Sequence, residues 1–514
     1  MTSRSGKSAK GSRHGNSLAL RYVGIDTYQQ HVVFMRSDCH VCRSEGFRTQ
    51  SRVQVALGNR SIIATVNVVH SDLLAQGEGS LSESAWRALG AQSGDEIRLS
   101  HPAPVESLGH VRAKVYGKPL DDMAMLSIMR DIQAGRYSDL QLSAFITACA
   151  GNRLDLSETV ALTRAMVAVG ERLKWPASRV MDKHCVGGLP GNRTTPIVVS
   201  IVAGFGLTIP KTSSRAITSP AGTADTMETL APVDLSLEAM RKVVEREGGC
   251  IVWGAAAGLS PADDALVRVE RPLELDSEGQ LVASVLSKKA AAGSTHVVVD
   301  MPVGPTAKVR SKEAAEFLGG RLEEVGRAVG LNVRVAITDG TQPVGRGIGP
   351  ALEARDVLAV LRGEAGAPPD LRERALTLSG LILELSRGVP RGMGRHQAEL
   401  LLDDGRAWSK FQAICEAQGG MRDPSRAPHT HPVPAPRSGQ VEVVDNRRLA
   451  RVAKLAGAPM APSAGVEFLA PPGSAVGKGQ PLFVVHAEAP GELEYAMEYV
   501  RSQPGIVSLA EPRR

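Results

Sequence analysis

The chain runs to 514 residues, 43% of them hydrophobic and 22% charged, enough for several domains with real cores, which excludes a short peptide, a fibre and a wholly disordered chain. Aromatic residues make up only 4%, against 53 glycines and 31 prolines, so the core is aliphatic and the chain turns often. The net charge of +6 sits at the ends, on Arg4, Lys7, Lys10, Arg13, Arg513 and Arg514; the other 54 basic residues face 54 acidic ones, and with few aromatics to stack on bases this argues against a nucleic-acid partner.

Residues 1–16, rich in Ser, Gly and base, read as a disordered tail without the apolar stretch of a secretion signal. From 17 to 105, short alternating runs at 18–22, 31–35, 52–56, 62–68 and 96–99 predict a β-rich domain, followed by a Pro-containing linker at 101–104. Cys39 and Cys42 form the one close cysteine pair, but no second pair of soft ligands follows, so they read as ordinary thiols rather than a zinc site. Six cysteines in so long a chain make no disulfide framework and point to the reducing cytoplasm. Residues 106–178 turn helical: Asp155 and Glu158 have capping-box spacing, and Leu162, Met166, Val169 and Leu173 fall on one stripe.

Strand and helix then alternate over 179–259 and 293–436. Strands are expected at 207–212, 296–301 and 332–338, and a helix over 311–329 with Ala314, Phe317, Leu318, Leu322, Val325 and Val329 inward. Such a pattern predicts a sheet covered on both faces. A Pro/His-rich break spans 421–436, and 437–514 reads as a small β-rich domain. No run of about twenty apolar residues occurs, so no membrane span is expected.

The chemistry concentrates in two stretches. In the first, Asp182-Lys183-His184-Cys185-Val186-Gly187-Gly188 leads through Gly191 and Arg193 to Thr194, Thr195 and an apolar run. Small residues let backbone N–H groups close on a ligand and a helix N-terminus face it, as a phosphate requires; a tight turn would use the same glycines. The Walker pattern is absent. The second stretch, 211–228, packs seven hydroxyl residues with Lys211 and Arg215, the makings of an oxyanion cradle, although Ser/Thr-rich loops also bond to their own backbone.

Together these stretches resemble the signature of the thymidine phosphorylase family, a D-K-H-x-x-G-G loop followed by S-x-R-x-aliphatic-x-x-x-x-G-T-x-D-x-x-E. The wording is most similar to the long branch that holds archaeal AMP phosphorylases and bacterial proteins named for thymidine phosphorylase, and the likeness runs over most of 17–500. It implies an α/β fold, with a helical domain (106–178, completed by about 260–292) facing a larger mixed α/β domain across a cleft, plus extra N-terminal and C-terminal β-rich domains. It further implies a cytoplasmic homodimer that takes a nucleoside or nucleotide with inorganic phosphate as co-substrate, and no metal or organic cofactor. In the implied reaction, phosphate attacks C1′ and the base leaves, which calls for an anion clamp, stabilisation of an oxocarbenium-like centre and a proton for the base.

Carried over by position, the resemblance assigns phosphate to Lys183, Ser213 and Thr223, with Thr195 assisting, and puts His184 beside the base, where an imidazole can supply a proton. It assigns the substrate to Gly188, Ser214, Arg215, Ala216, Ile217, Thr218, Ser219, Ser284, Lys288 and Lys308, and proton donation to Asp276, which needs a raised pKa that Glu274 or Glu278 could cause. Ser284 and Lys288, four apart, share a face if helical. Two departures matter. Cys185 stands where short members carry a phosphate-contacting serine, and 304–308 replaces an aromatic-ended G-S-G-A-F segment with one ending in Lys308. A cation there suits a 5′-phosphate, which makes AMP or another nucleoside monophosphate a rival to thymidine. Cys185 also leaves open a non-catalytic protein that binds phosphorylated metabolites.

Overall fold

The computed structural model describes residues 15–216, 219–254, 258–273, 275 and 277–510. Most of the tail expected at 1–16 lies outside them. They form two compact units, one of residues up to Lys118 together with Arg130–Phe145, the other of Pro119–Met129 together with Ile146 onward. Part of the stretch expected as a helical domain from 106 therefore groups with the first unit. Ser107 donates to Asp131 at 2.5 Å and Arg136 pairs with Asp131 at 2.7 Å, which ties the start of the helical stretch to the first unit.

The core of the first unit is a closed barrel in the order Ser17–Leu20, Glu78–Leu81, Val32–Arg36, Arg60–Val69, Arg52–Leu57 and Glu96–Ser100. Alternation decides what faces inward: Val53 and Val55 are fully buried between less buried neighbours, and Ile97 and Leu99 repeat the pattern. Two of the pairings are parallel, so the barrel is not a simple meander. Cys39 caps the helix His40–Glu45 by accepting the Cys42 N–H at 3.2 Å, and both thiols are buried in the barrel core. Among the described residues no group of three or more His, Cys, Asp or Glu could hold a metal ion.

In the second unit, the strands Asn332–Asp339, His296–Val303 and Met181–Cys185 pair in parallel, and a Val180–Thr208 bridge links them to the parallel pair Ile209–Ser213 and Gly249–Trp253. From Met181–Cys185 the chain first builds outward on one side and then returns to build on the other. The switch point therefore falls between Met181–Cys185 and His296–Val303, where parallel sheets bind ligands beyond their carboxyl ends. Beside the sheet, Asp155 and Glu158 form the expected capping box on the helix Leu156–Ala168. Leu173 is buried, but it lies beyond that helix and bonds to Ala291 O at 2.8 Å. In the helix Lys312–Ala328 the inward residues are Ala315, Leu318, Leu322 and Val325; Ala314 is exposed and Phe317 is 55% exposed, with the Arg321 guanidinium 5.5 Å from its ring.

The expected break at 421–436 contains a strand, His429–Pro434, paired with Pro481–Ala487. It is an edge strand, which tolerates prolines because one side needs no N–H. The rest of this C-terminal region combines two small antiparallel sheets with the helices Asn446–Leu455 and Pro490–Ser502 over one apolar core.

Candidate active site

The parallel sheet delivers Lys183 and His184 to its carboxyl edge, and the loop that follows turns on Gly187 (φ +91°) and Gly188 (φ +82°), conformations that side chains disfavour. A Cβ on Gly188 would lie 2.7 Å from the Lys308 amide nitrogen, so the two loops at the switch point touch through their backbones. The buried helix Thr194–Gly204 starts alongside, with Thr195 buried in its first turn, and Thr194 Oγ1 accepts from Lys183 Nζ at 2.8 Å.

Lys183 is 1% exposed and lies near three further lysines, Lys211, Lys288 and Lys289, whose charges act with its own on His184. Asp182, fully buried, pairs with Lys289 at 3.0 Å and Lys211 at 3.7 Å and accepts from Ser294 Oγ at 3.1 Å. Burial, and then Lys289, lower the pKa of Lys211 well below its ordinary value. Burial also drives the His184 pKa far down, reinforced by Lys289, Lys211, Lys288 and Lys183. This shift favours the neutral imidazole over the imidazolium and so opposes the expected use of His184 as a proton source.

The second stretch leaves the sheet at Ser213, whose buried hydroxyl has no hydrogen-bond partner among the described residues. A buried donor left unmade costs about 1–3 kcal/mol, which a bound anion would recover. Asp225 Oδ2 accepts the Ala216 N–H at 2.6 Å and the Gly222 N–H at 2.8 Å, and a Cβ on Gly222 would lie 2.5 Å from Ser214 O. These contacts hold Ser214 to Ala216 close against Gly222, and Ser219 Oγ bonds to Ala221 O at 2.8 Å. Arg215 departs from the expected cradle. Its guanidinium is held by Glu228 at 2.5 and 2.9 Å and Asp225 at 3.2 Å, and lies 4.8 Å from the Trp253 ring, so it shapes the loop. Ile217, Thr218 and Asp276 lie outside the described residues.

On the helix Glu278–Ala291, Ser284 and Lys288 do share a face: Lys288 Nζ donates to Ser284 Oγ at 3.1 Å and pairs with Asp263 at 2.6 Å. Burial opposes the Lys288 charge, but Asp263 together with Asp264 and Glu270 outweighs it and the pKa rises. Lys308 is exposed and, among the described residues, makes no ion pair. Cys185 Sγ accepts from Asn192 Nδ2 at 3.3 Å; burial, then Asp300, push its thiol up to about 11.

Sequence reasoning missed the residue that joins the two stretches. Arg193 donates to Glu353 Oε2 at 2.7 Å, to Thr223 Oγ1 at 2.7 Å and to Ala221 O at 2.9 Å, leaving the Thr223 hydroxyl proton free to point at a ligand. Arg193 sits inside the quoted loop, but nothing near it in sequence announces Glu353, 160 positions away. Lys289, which no motif singled out, carried a signal as a lysine inside a helix pattern that should be buried.

Three family models match the chain: a glycosyl transferase family a/b domain over residues 177–408, the helical bundle domain of that family over 110–170, and a pyrimidine nucleoside phosphorylase C-terminal domain over 440–506. The chain is 64% identical over 496 residues to a Polaromonas sp. strain JS666 protein named "Putative thymidine phosphorylase", covering 96% of this chain and 97% of that one. It is 62% identical to "Putative thymidine phosphorylase 2" of Acidovorax sp. strain JS42, with 99% and 100% covered. Among solved structures, Saccharomyces cerevisiae anthranilate phosphoribosyltransferase shares the fold at TM-score 0.50 and 15% identity, over 61% of this chain and 98% of that one.

Proposed function

Because the chain belongs to the thymidine/pyrimidine-nucleoside phosphorylase family and is a pentosyltransferase, we propose that it catalyses phosphorolysis of thymidine or a related pyrimidine nucleoside, releasing the base and (deoxy)ribose 1-phosphate. The observation that carries this reading is the group of buried lysines at the switch point, Lys211 and Lys289 sharing the Asp182 carboxylate, beside a buried Ser213 hydroxyl without a hydrogen-bond partner among the described residues. A bound anion would favour the charged form of these lysines, and inorganic phosphate supplies one that is also the nucleophile. In this reading Lys183, Ser213, Thr223 and Thr195 hold the phosphate below C1′, and their charge stabilises the oxocarbenium-like centre as the base departs. Ser284, Lys288 and neutral His184 bind the base edge, and Asp276 delivers the proton. The enzyme works as a cytoplasmic homodimer, without metal or organic cofactor.

One observation favours a second reading. Lys308, exposed and without an ion pair among the described residues, abuts the phosphate loop, where it would meet a 5′-phosphate on the sugar. The substrate would then be AMP or another nucleoside monophosphate, and the product ribose 1,5-bisphosphate. Phosphate-dependent base release from thymidine, uridine, cytidine, AMP and CMP separates the two. Release from none of them, with binding retained, would favour a non-catalytic phosphometabolite-binding protein. If Lys308 reads a 5′-phosphate, Lys308→Ala lowers kcat/KM for nucleotides far more than for nucleosides.

A further inference from the structure

The loop 304–308 carries Lys308 to the switch point but supplies little of its own to hold it there: Gly304 N–H to Val309 O and Ala307 N–H to Gly304 O, both at 3.1 Å. Further support comes from the far end of the chain. The helix Asn446–Leu455, capped by Asp445, which accepts the Arg447 and Arg448 N–H groups at 3.0 Å each, starts directly against this loop. Asn446, 1% exposed, donates its amide to Gly340 O at 3.1 Å and its backbone N–H to Thr306 Oγ1 at 3.4 Å. Arg447 donates from Nε to Thr306 O at 3.3 Å and from Nη2 to Ala307 O at 3.5 Å. Gly340 closes the set, with its N–H on Val303 O at 2.8 Å and its oxygen 2.3 Å from where a Cβ on Gly304 would stand.

We propose that Asn446 and Arg447 are positioning residues of the reaction, and that the C-terminal domain braces the loop 304–308 so that Lys308 and the backbone beside it keep a fixed station against Gly188. The inference rests on the proposed phosphorolytic site. Arg447 is the informative member because it is exposed and its bonds are long, so its loss leaves the fold in place while freeing the two carbonyls that precede Lys308. Residues that only fastened one domain to another would act on melting temperature alone. A brace acts on the substrate side of the site, where an error of about 1 Å can cost up to about 100-fold.

The test uses the full chain with Arg447→Ala and Arg447→Lys. It measures hydrogen exchange in peptides covering 303–309, with the helix Thr194–Gly204 as control, together with KM for the best nucleoside or nucleotide and for phosphate. Arg447→Ala is expected to speed exchange at 303–309 only and to raise the nucleoside or nucleotide KM about 10-fold. The phosphate KM and melting temperature should stay at wild-type values, Arg447→Lys should recover part of the loss, and Arg447→Ala with Lys308→Ala should be no worse than Lys308→Ala alone. Unchanged exchange, faster exchange with unchanged KM, or fully multiplicative losses would overturn the brace while leaving the proposed function standing. Absence of base release from every substrate overturns both.

Discussion

Replacing Arg193 with Met keeps most of the aliphatic stem and deletes a cation that touches three groups at once. Its partner Glu353 is 2% exposed, and the carboxylate's other bonds come from neutral donors, Thr226 Oγ1 at 2.9 Å and the Gly349 N–H at 3.3 Å. Breaking a buried pair by removing one member costs about 3–5 kcal/mol. The penalty has a ceiling, because Glu353 can escape it by taking a proton; burial already raises its pKa, and Arg193 is the largest opposing influence. Without Arg193 the folded pKa climbs further above the unfolded value of about 4.3. The variant then binds a proton on folding, so its stability is fullest below about pH 4 and falls by up to about 1.4 kcal/mol per pH unit as pH rises towards the raised pKa. Denaturant titrations of wild type and Arg193→Met at pH 5 and pH 7.5 should show a deficit that widens with pH, and adding Glu353→Gln should remove the widening. The phosphate KM should rise about 10-fold as Thr223 loses its anchor. A deficit below about 1 kcal/mol at pH 7.5, or one flat with pH, would refute the view that this pair locks the two loops together.

Lys183→Ala should lower kcat/KM for phosphate by about 1,000-fold or more in a base-release assay, and wild-type kinetics would remove the clamp assignment. Gly188→Ala should cost about 1–3 kcal/mol by calorimetry and raise KM, because the new Cβ meets the Lys308 backbone; Gly187→Ala, which meets nothing within 4 Å, should cost less, and equal losses would count against the close approach. With its thiol pushed up to about 11, Cys185 should be alkylated at pH 7.5 about 100-fold more slowly in the native chain than after denaturation, and fast native labelling would contradict that environment.

What the sequence revealed follows the range over which each interaction acts. The capping box at Asp155 and Glu158 needs only three positions, and the contact from Lys183 to Thr194 spans eleven within one motif, so both lay within reach of a linear reading. Arg193 with Glu353, and Asn446 with Gly340 across 106 positions, depend on how separate elements stack, which no local pattern encodes. Periodicity placed the helix around 311–329 correctly but put Phe317 inside, because a run with apolar residues on two faces does not say which face the sheet takes. Prolines hid the strand His429–Pro434 because the rule that bars them from strands relaxes at an edge. Arg215 was legible as a motif but not in its role, since Glu228 and Asp225 claim its charge only once the loop closes.

The lysine cluster also has a thermodynamic side. Lys211 and Lys289, each no more than 5% exposed, share the carboxylate of Asp182 with Lys183 close by, so their charges repel one another, and burial with that repulsion holds the Lys211 pKa well below its ordinary value. An anion that relieves it is a folding ligand as much as a reactant: at 100 times its dissociation constant it adds about 2.7 kcal/mol to the stability of the native state. In the proposed phosphorolytic site phosphate is that anion, and the melting temperature is then expected to rise with phosphate concentration relative to a neutral amine buffer.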